Sequence, residues 1–155
     1  MKSKMQKLIL ISILILIPGI VSISGCINNS DNKKIISGHF ENQYIKFNLP
    51  AGVTAEDVSK NQTSFDLILY KNGNSIGEIN SEVTPPQAIN ALDGSNTTFA
   101  GKKAIESNDE FGSLLYIKFR NDSQGNTIGI RIELDPGFSK DYESIKNSLV
   151  IKKNL

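Results

Sequence analysis

Apolar and polar residues alternate with a period of two over most of the second half of this chain, and that alternation is the pattern of half-buried strands. Ile45, Phe47 and Leu49 share one side of an extended segment with Tyr44, Lys46 and Asn48 on the other, so residues 44–49 predict a strand that Pro50-Ala51-Gly52 ends. Residues 65–71 predict a second strand. Asn72-Gly73 follows, a pair that tolerates positive φ at both positions and turns a hairpin, so residues 75–83 are expected to return antiparallel. The clearest hairpin joins residues 114–120 to residues 127–134 through Asp122-Ser123-Gln124-Gly125-Asn126, with Ile128, Ile130, Ile132 and Leu134 alternating against Thr127, Gly129, Arg131 and Glu133. Residues 99–107 give a weaker strand signal with Gly101 at a bend.

The period changes to three and four at Tyr142, Ile145 and Leu149, which predicts a helix over residues 139–148, with Asp141 and Glu143 facing the positive end of its dipole. Thr84 as a cap and Pro85 at the first position suggest a short helix over residues 87–92. Val150-Ile151 can close as a short extended piece. Hairpins with one apolar face, accompanied by two helical segments, predict an α+β domain: an antiparallel sheet of about five to seven strands covered by one or two helices.

The amino-terminal stretch obeys different rules. Lys2, Lys4 and Lys7 precede residues 8–17, apolar except for Ser12, and small residues Ser22, Ser24 and Gly25 lead to Cys26. This is the order of a secretory leader: basic region, apolar region, small-residue cleavage zone. Residues 8–27 are just long enough to span a bilayer of about 20 residues' thickness if Pro18 is tolerated, so an uncleaved signal anchor with a structural role is the alternative.

The stretch Ile23-Ser24-Gly25-Cys26 resembles the lipobox of bacterial and archaeal lipoproteins, an aliphatic residue and two small ones before the lipidated cysteine. That resemblance implies a glyceryl lipid on the Cys26 thiol and removal of residues 1–25. Two acyl chains, at about 0.8 kcal/mol per buried CH₂, hold a protein at a membrane where one holds it only marginally. Cys26 is the single cysteine of the 155 residues, so an exported domain would rely on its core without an internal disulfide. The expected organisation is a lipoprotein signal peptide over residues 1–25, a flexible Asn/Ser/Asp/Lys-rich tether over residues 26–37, and a single α+β domain over residues 38–155. The expected location is the extracytoplasmic face of the cell membrane.

The order of the segments in the domain, with "YIKFNLPAGV" early, "FAGKKAI" in the middle and "DYESIKNSLVIK" at the end, resembles the PsbP-like fold of small exported proteins. The resemblance spans about residues 38–153 and implies a binding or assembly module. It carries no catalytic signature.

Charge narrows the partners. Of 17 basic and 16 acidic residues, three lysines leave with the leader, so the remainder carries 14 − 16 = −2. With arginine only at positions 120 and 131 and the lysines scattered, phosphate-backbone recognition of nucleic acid has little to work with. The partners expected are the membrane, through the lipid, and an envelope protein.

The chemistry-bearing residues are few. His39 is the only histidine, which removes His-rich metal sites and H-E-x-x-H, and no serine sits in G-x-S-x-G. Ser30-Asp31-Asn32-Lys33 fits S-x-x-K but lies in the expected tether. Neither G-x-G-x-x-G nor a P-loop occurs. Glu133 and Asp135 share one face of a strand, a spacing compatible with paired acids or a weak calcium site. No catalytic, cofactor or metal residue is assigned, and an envelope enzyme built on carboxylates and hydroxyls is the alternative function. Tyr116, Lys118, Arg120 and Arg131 are expected to meet on the outer face of the strong hairpin as a contact surface. The tripeptides beginning at Asn28, Asn61, Asn96 and Asn121 fit the N-glycosylation acceptor.

Overall fold

The computed structural model describes residues 34–60 and 64–152. The first four strands are Lys34–Ser37 (β1), His39–Glu41 (β2), Ile45–Asn48 (β3) and Val53–Asp57 (β4). Asp66–Lys71 (β5) and Asn74–Thr84 (β6) form the expected hairpin, joined by Asn72 and Gly73 at φ of 52° and 80°. A one-turn helix, Pro86–Asn90 (α1), follows, and then Ser95–Phe99 (β7), Lys102–Asp109 (β8), Gly112–Asn121 (β9) and Thr127–Leu134 (β10). Ser139–Ser148 (α2) and Val150–Ile151 (β11) are the last elements of the described residues.

Two antiparallel sheets result, one of eight strands in the order β1-β4-β5-β6-β10-β9-β8-β7 and one of three in the order β11-β3-β2. The inner face of the large sheet is set by the aliphatic half of each alternation: Ala55, Leu67, Leu69, Ile79, Leu115, Ile117, Ile130 and Ile132 are all buried there. Ile45 and Phe47 of the small sheet, Leu49 just after β3, and Tyr142 and Ile145 of α2 pack onto it. Phe40 links the two layers, its ring centroid 5.2 Å from Phe47 and 6.1 Å from Phe65. The passage from β1 to β2 is made at Gly38, whose φ of +73° is a left-handed conformation costly for any residue with a Cβ, so one bent segment belongs to both sheets.

The expected α+β class with a helix-covered sheet does not hold. Strand accounts for 57% of the described residues and helix for 13%, and the fold is β-rich. The large sheet has eight strands, more than expected, because β1 (KIIS), β4 (VTAED) and β7 (SNTTF) lack a sustained alternation of large apolar and polar residues. The inner face is covered by the three-stranded sheet as much as by α2. Residues 34–37, read as tether from their composition, form β1 and pair with β4 from Lys34↔Asp57 to Ser37↔Thr54. Helix α1 starts at Pro86 with Pro85 in the cap position and no side-chain capping bond; Thr84 is the last residue of β6.

Helix α2 is fixed to the sheet by polar contacts as well as by its apolar stripe. Lys71 on β5 donates to both carboxylate oxygens of Asp141, at 2.9 and 2.8 Å. The Tyr142 hydroxyl donates to Glu106 Oε1 at 2.9 Å, and Lys146 Nζ donates to the same oxygen at 2.6 Å and to Glu143 at 2.8 Å. Burial, together with the Glu106 carboxylate facing the hydroxyl, pushes the Tyr142 pKa far up, so the group is a permanent donor.

Candidate functional site

The outer face of the large sheet is organised by register. One row of neighbours runs Glu56, Ile68, Glu78, Glu133, Leu114, Ser107 from β4 to β8. The next runs Asp66, Asn80, Arg131, Tyr116, Ile105, Asn96 from β5 to β7. Helix α1 and the residues after it cover only the second row's far half: Ile89 and Leu92 pack on Ile105 and Tyr116.

Tyr116 is therefore fully buried, not part of an open contact surface. Its hydroxyl lies 3.1 Å from Thr84 Oγ1, to which it donates, and Thr84 Oγ1 donates onward to Glu82 at 2.9 Å. Burial raises the Tyr116 pKa. The ring is admitted by Gly129 on the neighbouring strand, where a Cβ would stand 2.7 Å from both Tyr116 Cζ and Oη and 2.7 Å from the Ile117 carbonyl oxygen.

The uncovered half of the face is acidic. Glu78 and Glu133 are direct cross-strand neighbours, a like-charge placement that costs stability on its own. Arg131 offsets it: Nε donates to Glu133 Oε2 at 2.7 Å and Nη2 makes a second close contact with the same oxygen. Asn80 Nδ2 donates to Glu78 at 3.0 Å. Two shallow cavities meet at Glu133. One, of about 340 Å³, is lined by Ile68, Ser75, Glu78, Glu133 and Asp135. The other, of about 320 Å³, runs between the end of α1 and the β8–β9 turn, lined by Leu92, Asp93, Asp109, Phe111 and Arg131 among others. Among their lining residues Arg131 is the one cation, so the trough attracts positive groups. Phe111, 81% exposed, stands at its rim.

The expected cluster of Tyr116, Lys118, Arg120 and Arg131 is thus divided. Lys118 and Arg120 line a separate basic cavity of about 630 Å³ with Lys102, Lys103 and Phe119, while Arg131 belongs to the acidic trough. Glu133 and Asp135 do come together as their spacing suggested, and the structure adds Glu78. The signal for Glu78 was absent locally because it arises from the pairing of β6 with β10, strands separated by more than forty residues.

His39 is exposed, with Nδ1 3.1 Å from Asn48 Oδ1 and Nε2 3.3 Å from Glu41 Oε2. Both partners are acceptors, and the hydrogen bonds to Asn48 and then Glu41 raise its pKa. Cys26 and the Ser30–Lys33 motif lie outside the described residues, as do Asn28 and Asn61. Among the described residues, no group of three or more His, Cys, Asp or Glu side chains could hold a metal ion, and no helix is long and apolar enough to cross a membrane. No family model, no curated protein and no solved structure matches this chain.

Proposed function

We propose that the protein is an extracytoplasmic lipoprotein, held to the membrane through lipid on Cys26, that binds a positively charged polypeptide segment of an envelope partner on the bare half of its outer sheet face. The observation that carries the binding role is the unequal cover of the two faces. The inner face is sealed by α2 and the second sheet, whereas the outer face has only the five-residue α1, which leaves the trough around Glu78, Glu133 and Asp135 open. Its carboxylates favour lysine and arginine side chains, and Phe111 and Ile68 add apolar contact beside them. A binding role is favoured over an enzymatic one because Glu133 is held by Arg131 and Glu78 by Asn80, an arrangement suited to fixed charge and not to proton transfer.

Two measurements separate the parts of this reading. Intact-mass analysis of membrane-extracted protein is expected to show residues 1–25 removed and a diacylglyceryl increment on Cys26, and Cys26→Ser is expected to move the chain out of the lipid-modified pool; an unmodified Cys26 with the leader attached overturns the anchor. A lysine-rich peptide is expected to bind the detergent-solubilised protein in a salt-sensitive way and to lose about tenfold or more in affinity with Glu78→Gln and Asp135→Asn together. Equal binding of basic and acidic peptides overturns the assignment of the face.

A further inference from the structure

Strand β7 closes the large sheet at one end: it pairs with β8 and has no partner on its other side among the described residues. Its five residues, Ser95-Asn96-Thr97-Thr98-Phe99, contain no charge and no proline; the first four are exposed and Phe99 is half-buried. Edge strands in soluble proteins are normally protected by lysine, proline, a bulge or a covering element, because the unpaired N–H and C=O groups recruit another strand. At the opposite end β1 opens with Lys34 and runs four residues before the bend at Gly38. The β7 edge has no such device.

The hydrogen-bonding phase of that edge follows from its turn. Ala100 and Gly101 have φ of 48° and 76°, the conformation of a two-residue hairpin loop, so Phe99 and Lys102 form the closing hydrogen-bonded pair. Alternation then directs the backbone groups of Phe99, Thr97 and Ser95 to β8 and leaves those of Asn96 and Thr98 pointing away from the sheet. Two outward residues spaced by one, centred on Thr97, are self-complementary under a two-fold axis. Asn96 of one copy exchanges both bonds with Thr98 of the other, Thr98 does the same with Asn96, and the two Thr97 residues face each other as a non-hydrogen-bonded pair.

We infer that β7 is a homodimerisation edge, at which two copies pair antiparallel about Thr97 to join their eight-stranded sheets into one. The register opposes Ser95 to Phe99 of the second copy, Phe99 to its Ser95, and Thr97 to Thr97, placing hydroxyls and one aromatic ring from each copy at the seam and no like charges directly opposite one another. The interface is isologous, as a closed two-fold dimer requires.

The register makes the inference testable by disulfide trapping, which also captures a weak dimer. Facing non-hydrogen-bonded residues have Cα atoms about 4.5 Å apart, inside the range a disulfide bridges. Two Thr98 residues, offset by two positions along the seam, stand about 8 Å or more apart, beyond it. In the full chain carrying Cys26→Ser, Thr97→Cys is expected to give a disulfide-linked dimer under mild oxidation at least tenfold more efficiently than Thr98→Cys. Thr97→Lys, which sets two lysines face to face, is expected to halve the particle mass measured by light scattering while leaving the circular dichroism spectrum unchanged. Equal trapping at both positions, no trapping at either, or a sugar increment on Asn96 occupying this edge in native material each overturns it.

Discussion

Gly129→Ala has a large predicted effect for a small chemical change. The new methyl would sit 2.7 Å from Tyr116 Cζ, 2.7 Å from its hydroxyl oxygen and 2.7 Å from the Ile117 carbonyl oxygen. Carbon contacts settle at about 3.5–4.0 Å, so each neighbour must retreat by nearly an ångström. The carbonyl is part of the β9–β10 ladder, already irregular between Ile128 and Gly129, and the ring is enclosed by Ile89 and Ile105. Overpacking a closed site costs about 1–3 kcal/mol, and drawing the hydroxyl away from Thr84 adds roughly 1 kcal/mol. A loss of about 2–4 kcal/mol is therefore expected. The chain has no tryptophan, so urea unfolding is best followed by circular dichroism and tyrosine emission, with the midpoint falling and the slope unchanged. Combining Gly129→Ala with Tyr116→Leu should cost less than the sum of the single changes by about 0.5 kcal/mol or more, since the shorter side chain vacates the collision. A Gly129→Ala protein within about 0.5 kcal/mol of the parent, or strict additivity in the pair, would refute the packing argument.

Other consequences concern α2. Burial opposes the charge on Glu106, but the hydrogen bonds from Lys146 and Tyr142 outweigh it and hold the carboxyl below its ordinary value of 4.5. The stability this gives is fully present above that ordinary value and is lost as the pH falls through the folded-state pKa; Glu106→Gln should flatten that acid limb in thermal unfolding measured between about pH 3 and 6. Lys71→Met strands the largely buried Asp141 carboxylate and should lower stability by about 1–3 kcal/mol, with Asp141→Asn in the same chain recovering part of the loss; no recovery would show that the pair is not the cause. Tyr142→Phe should cost about 1 kcal/mol in urea unfolding, because Glu106 retains Lys146 when the hydroxyl is gone.

Where hydrophobic alternation was strong, the sequence was legible. The helix over residues 139–148 forms with those bounds, and the hairpin through residues 122–126 forms with its aliphatic side inward, since Ile130, Ile132 and Leu134 leave only one register that buries them. The strands that were missed, VTAED in β4 and SNTTF in β7, gain their extended shape from neighbours and not from their own residues. Tyr116 was correctly placed on the outward side of its strand but is buried, because the cover comes from a helix some thirty residues upstream that no local pattern connects to it. The acidic trough was half visible for a similar reason: Glu133 and Asp135 are neighbours in sequence, whereas Glu78 joins them only through the β6–β10 register.

The bend at Gly38 also decides how the domain bears a load. A pull directed along β1 has to slide its four residue pairs past β4 together, whereas a pull across the strand unzips them one at a time from Lys34. The same tension passes through the bend into β2 and the Phe40–Phe47 contact, so both layers resist at once.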